Sequence, residues 1–114
     1  MSDCIFCKIV AGDIPADVVY EDDKILAFKD INPRTQVHLL TIPKSHIESL
    51  ADIDDTHDEL MAHMMKMQKR LAKEQGLETG FRTIVNTGKG GGQEVFHLHI
   101  HLLGGSNLPT FAKK

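Results

Sequence analysis

The chain has 114 residues, 41% of them hydrophobic and 25% charged, with a formal net charge of −3. These values suit one compact domain over residues 1–114 and argue against a dedicated nucleic-acid binder, whose footprint is ordinarily basic. No apolar stretch is long enough to span a bilayer, and Met1-Ser2-Asp3-Cys4 lacks the regions of a signal peptide, so a cytoplasmic protein is expected. Cys4 and Cys7 follow. A structural disulfide is not expected in a reducing cytosol, so the C-x-x-C pair points to metal or redox chemistry, with two unremarkable small residues as the alternative.

Ile5 to Ala11 is expected to form a short helix stopped by Gly12 and Pro15. Val18 to Tyr20 and Lys24 to Lys29 read as two strands joined by an acidic turn, and Val37 to Ile42 as a third ended by Pro43. Asp52 to Gln75 is the long helix. Thr56 and Glu59 have capping-box spacing, Leu60, Met64, Met67 and Leu71 recur at helical spacing, and Gly76 is its stop. The methionine stripe fits packing against the domain's own core better than a partner site. Phe81 to Asn86 and Val95 to Leu103 read as the fourth and fifth strands. Strands on both sides of one long helix, with short connections between strands two and three and between four and five, predict an α+β domain with a mostly antiparallel sheet. His57 and His63 fall on the long helix and read as surface residues without a role. Ser106 to Lys114 has no pattern.

The informative segment is Val-Phe-His-Leu-His-Ile-His-Leu-Leu from Val95 to Leu103. In a strand, alternation places His97, His99 and His101 on one face, with stems roughly 6.5–7 Å apart, and Leu98, Ile100 and Leu102 in the core. Three histidines there are a poor choice merely to solvate a face. They could surround a phosphoryl group or hold a metal themselves. Just upstream, Asn86-Thr87-Gly88-Lys89-Gly90-Gly91-Gly92-Gln93 is not a P-loop, since no Lys-Ser or Lys-Thr follows its glycines. Such a stretch lets backbone N–H groups approach an anion, and beside a histidine row it reads as the other half of an anion pocket.

The run Gly92-Gln93-Glu94-Val95-Phe96-His97-Leu98-His99-Ile100-His101-Leu102-Leu103 resembles the signature of the histidine triad (HIT) family of nucleotide hydrolases and transferases, and within it the Hint branch in its bacterial form. Ile5-Phe6-Cys7-Lys8-Ile9, Ile14-Pro15-Ala16, Ala27 to Ile31, His38 to His46 and Leu103-Gly104-Gly105 fit the same pattern. The resemblance implies a five-stranded antiparallel sheet with one long and one short helix, and a homodimer with a continuous ten-stranded sheet. It implies that His99 is the nucleophile, flanked by His97 and His101 and supported by His38. It places Asp30 at the ribose hydroxyls, Ile5, Phe6, Ile9, Phe28 and Leu40 at the base, and Asn86, Gly92 and Gln93 at the α-phosphate. Glu94 departs from the Ser or Thr common at the phosphate. A carboxylate would repel a phosphate, so its side chain is expected to turn away, its backbone N–H keeping the contact.

The implied activity is that of a purine nucleoside phosphoramidase acting on AMP conjugates at the α-phosphorus through a nucleotidyl-histidine, with no catalytic cofactor, no nucleic acid and no membrane. A dinucleoside polyphosphate hydrolase and a non-catalytic nucleotide-binding interaction module are the alternatives. Activity should fall in acid, the unperturbed histidine value being about 6.5. Cys4, Cys7, His46 and His97 offer two thiolates and two imidazoles, a set suited to the tetrahedral structural zinc that some family members carry. In this family the C-terminal tail can reach the partner's site.

Overall fold

A computed structural model of the chain describes residues 3–106 and Leu108; the C-terminal tail, which in the resembled family can reach the partner's site, lies largely outside them. Helix α1 (Ile5–Ala11) is capped by Cys4, whose sulfur accepts from the Cys7 N–H at 3.3 Å. It ends at Gly12, where a φ of +84° and a bond from Asp13 N–H to the Lys8 carbonyl close the last turn. Five strands follow as β1 (Val18–Glu21), β2 (Ile25–Lys29), β3 (Val37–Pro43), β4 (Arg82–Ile84) and β5 (Ile100–Gly104). They form one antiparallel sheet in the order β1-β2-β3-β5-β4, so β5 inserts between β3 and the edge strand β4. Helix α2 (Asp58–Glu74) provides the connection from β3 to β4.

Three boundaries differ from those the sequence suggests. The long helix begins at Asp58 rather than Asp52, after two 3-10 turns at Leu50–Asp52 and Asp55–His57. The capping box joins Asp54 to His57 and closes the 3-10 turn ahead of the helix, in place of Thr56 to Glu59: Asp54 Oδ1 accepts from the Thr56 N–H at 2.9 Å and His57 Nδ1 from the Asp54 N–H at 3.0 Å. A short carboxylate competes well for free N–H groups at a helix start. His57 thus precedes the helix, and His63 is half-buried, its Nε2 lying 2.7 Å from Asp22 Oδ2. The fourth strand keeps only Arg82–Ile84. The fifth begins at Ile100, because its expected first half bonds elsewhere. Leu98 N–H donates to the Ile47 carbonyl at 2.7 Å, and the Pro43 carbonyl accepts the His97 ring N–H at 2.9 Å.

The core has two parts, one on each side of the sheet. Ile25, Ala27, Leu39, Ile100 and Leu102 pack against Met64, Met67, Leu71 and Ala72 of α2. Leu26, Phe28, Leu40 and Ile42 face the other way, against Phe6 of α1. The methionine stripe is core, as expected.

Candidate active site

The side of the sheet away from α2 carries a cleft of about 620 Å³, a size suited to a small-molecule ligand. Strand register decides which side chains enter it. Phe28, Leu40 and His101 stand in one row across β2, β3 and β5, and Ile84 of β4 extends it. One step along, His38 pairs with Leu103, and Leu103 with Arg82. All of these residues line the cleft.

The histidines are ordered by hydrogen bonds that fix their tautomers. His99 Nδ1 lies 2.7 Å from the carbonyl of His97, an acceptor only, so Nδ1 carries the proton and Nε2 keeps its lone pair. The Arg34 N–H donates to His38 Nδ1 at 3.1 Å, which puts the His38 proton on Nε2. That Nε2–H donates to His101 Nδ1 at 2.9 Å, leaving neutral His101 an Nε2–H to offer elsewhere. His38 Nε2 also lies 3.4 Å from Asp30 Oδ2. The His99 and His101 rings meet edge-on with centroids 4.9 Å apart. Burial pushes His38 and His99 below the ordinary imidazole value. It pushes His101 down to about 4, with the charges of His99 and His38 acting in the same direction. At neutral pH the site therefore presents uncharged imidazoles, one with an unprotonated Nε2 and one with an Nε2–H to donate.

Ile5, Phe6, Ile9, Phe28, Leu40, Asp30, Asn86, Gly92 and Glu94 all line the same cleft as His38, His99 and His101. The Phe6 ring meets Phe28 and His99 edge-on, at 5.6 and 5.2 Å. Two expected site residues stand elsewhere. Gln93 is buried and faces inward: Oε1 accepts from the Gly88 N–H at 2.8 Å, and Nε2 donates to the carbonyls of Glu48 at 2.6 Å and Val95 at 3.0 Å. Its side-chain polar atoms are taken up in holding the glycine-rich connection in shape. His97 is wholly buried and turned away from the cleft, reaching His99 only through its backbone carbonyl. Glu94 is exposed, and among the described residues its carboxylate has no hydrogen bond or ion pair.

Cys4, Cys7, His46 and His97 form a second cluster, with their four donor atoms within 4.8 Å of one another. His97 Nδ1 lies 3.2 Å from Cys4 Sγ and 3.5 Å from Cys7 Sγ, and His46 Nδ1 3.2 Å from Cys7 Sγ. Sulfur and nitrogen ligands on a tetrahedral zinc would stand about 3.6 Å apart, so the donors have the spacing of such a shell. The His97 Nε2–H donates to the Pro43 carbonyl, which turns the Nδ1 lone pair toward the sulfurs, as a ligating imidazole requires. The donor set and its orientation fit zinc.

Ile14, Ile31, Arg34, Arg82 and Ile84 also line the cleft and were not anticipated. Ile31, at 88% exposure, is a large apolar side chain at its mouth. Alternation along Arg82–Ile84 in step with His101 and Leu103 is the signal that could have found two of them.

The family model described as "Scavenger mRNA decapping enzyme C-term binding" matches residues 3–114. Protein HitA of Neisseria gonorrhoeae is 57% identical over 104 residues, covering 91% of this chain and 97% of that protein. The 14 kDa zinc-binding protein of Zea mays is 45% identical (94% of this chain, 85% of that protein). The purine nucleoside phosphoramidase of Escherichia coli K12 is 43% identical (96% and 94%). The crystal structure of a HIT family hydrolase from Legionella pneumophila superposes with a TM-score of 0.91 at 50% identity, covering 96% of this chain and 98% of that one.

Proposed function

The chain belongs to the histidine triad family and is a hydrolase, and from that premise we propose that it acts as one domain on purine nucleoside phosphoramidates, cleaving at the α-phosphorus with His99 as nucleophile. The observation that carries this reading is the bond from His99 Nδ1 to the His97 carbonyl, which leaves Nε2 unprotonated in a cleft sized for a nucleotide. The base would lie among Ile5, Phe6, Ile9, Phe28 and Leu40, and the ribose hydroxyls at Asp30. The phosphate would sit between His99, His101, Asn86 and the backbone of Gly92 and Glu94.

His99 Nε2 attacks phosphorus and forms a P–N bond as the bond to the leaving amine breaks. Its electron pair goes to the amine, which takes a proton from solvent or a bound donor. The His101 Nε2–H, held in place by His38, donates to a phosphoryl oxygen as charge builds there. Water then attacks the nucleotidyl-histidine, releasing the nucleoside monophosphate and restoring His99. Gln93 and His97 position this apparatus without touching substrate. The relative named a purine nucleoside phosphoramidase, at 43% identity, favours an amine leaving group over a polyphosphate.

The same reading assigns a structural zinc to Cys4, Cys7, His46 and His97. Support comes from the donor geometry and from the relative named a zinc-binding protein. The ion would cross-link α1 to the segment that follows β3, through His46, and to the segment that precedes β5, through His97, and so steady the carbonyl that orients His99. A homodimer is proposed too, since β4 lies at a sheet edge where a second sheet could continue. The test is release of AMP from adenosine 5′-phosphoramidate by wild type and His99→Ala, with folding checked for both. Turnover by wild type and its loss in the variant are expected; AMP binding without turnover by wild type would leave a nucleotide-sensing module instead.

A further inference from the structure

The cleft is not symmetric in charge. Gln93 is drawn inward by its side-chain bonds and by a backbone bond from its N–H to the Gly88 carbonyl. Its neighbours Gly92 and Glu94 both line the cleft, as does Val95. The strands fix which end this is. Asp30 follows β2 and His38 lies near the start of β3, whereas His99 precedes β5, beyond the Thr41–Ile100 pair near the other end of β3. Asp30 is already engaged, accepting from the Asn32 N–H at 2.8 Å and facing His38. Arg34 also stands at the Asp30 end, its N–H on His38, and Arg82 lies across from Leu103 in the His38 row. Lys29 is paired with Asp17 at 3.7 Å. Glu94, a residue of the lining whose carboxylate has no counter-ion among the described residues, thus stands at the His99 end of the cleft, while Arg34 and Arg82 stand at the other.

We propose that Glu94 makes the His99 end of the cleft a cation subsite for the leaving group. The protein then favours phosphoramidates whose departing amine bears a second positive charge and discriminates against carboxylate or polyphosphate leaving groups. The inference rests on the phosphoramidase reading above. With the nucleoside filling the apolar pocket and Asp30, the remainder of the substrate extends past the phosphorus toward Gly92 and Glu94. A unit charge there meets the carboxylate across a few ångströms of partly solvated space, worth about fivefold in rate for each sign of charge. The substitution that a phosphate-contacting hydroxyl would have made unremarkable becomes a specificity determinant.

The experiment uses three adenosine 5′-phosphoramidates with the same short alkyl amine, ending in an ammonium, a hydroxyl or a carboxylate. kcat/KM is measured for each with wild type, Glu94→Gln and Glu94→Lys, after confirming equal melting temperatures. Wild type should prefer the ammonium over the carboxylate by roughly tenfold or more, with the preference shrinking as salt is added. Glu94→Gln should collapse that ratio and Glu94→Lys invert it. A wild-type ratio near one, or a ratio that neither variant changes, overturns the assignment while the phosphoramidase reading stands. Failure of wild type to release AMP from the hydroxyl compound overturns that parent reading and the subsite with it.

Discussion

The two sides of one sheet divide the labour. Toward α2, the strands contribute Ile25, Ala27, Leu39, Ile100 and Leu102, a dry layer closed by Met64, Met67 and Leu71. Toward the cleft, the alternate residues of the same strands are Leu26 and Phe28, then His38, Leu40 and Ile42, then His101 and Leu103. A period of two therefore writes stability and chemistry into one segment, and a shift of register by a single residue would exchange them. The difference teaches where each kind of damage should appear: changes toward α2 should act on folding, changes toward the cleft on turnover.

The largest effect expected from breaking that division is in catalysis. His99→Ala should lower kcat/KM for AMP release by roughly a thousandfold or more, since the proposed mechanism draws its attacking nitrogen from His99 alone. On the opposite side, Leu102→Ala removes a wholly buried side chain and should cost about 2–5 kcal/mol in denaturant unfolding. The folded fraction should keep near-normal turnover per active site. Equal losses of kcat in both variants would erase the contrast.

The Cys4, Cys7, His46 and His97 cluster links the two kinds of effect, because His97 gives a ring to the cysteines and a carbonyl to His99. Elemental analysis of protein grown with zinc should find about one ion per chain in wild type and little in Cys4→Ser. That variant should also lose several degrees of melting temperature. Full metal content in Cys4→Ser would detach the thiol from the site.

The acid dependence is smaller and separates the sides again. In the proposed mechanism His99 acts unprotonated, and burial lowers its value, so the acid limb of kcat/KM should fall below the ordinary histidine value of about 6.5. The same buried imidazoles set stability. Their folded-state values lie below their unfolded ones, so the unfolded chain binds more protons as pH falls. Stability should be full above about pH 6.5 and decline from there toward pH 4, the value to which His101 is pushed. A melting temperature constant over that window would contradict the burial of neutral histidines.

Much of this was readable in the chain. Alternation from His99 to Leu102 separated core from cleft, and helical spacing placed Met64, Met67 and Leu71. What escaped the sequence reading depends on partners distant in the chain. The strand expected from Val95 starts at Ile100 because Ile47 and Pro43 take the bonds of Leu98 and His97. Gln93 has the composition of a phosphate contact, yet the Glu48 carbonyl, 45 residues earlier, draws it inward. His97 shares the period of His99 but not its destination, since local pattern cannot say that Cys4 and Cys7 lie beside it. That Glu94 has no counter-ion among the described residues showed only in three dimensions.

The most direct test of the central claim is to trap the covalent species. Wild-type protein would be mixed with an adenosine 5′-phosphoramidate, quenched under conditions that preserve phosphohistidine, digested, and analysed by mass spectrometry. The account predicts a peptide carrying one AMP, fragmenting to place it on His99, that disappears as free AMP accumulates. AMP release with no adduct on His99, or an adduct on His101 or another side chain, would contradict it.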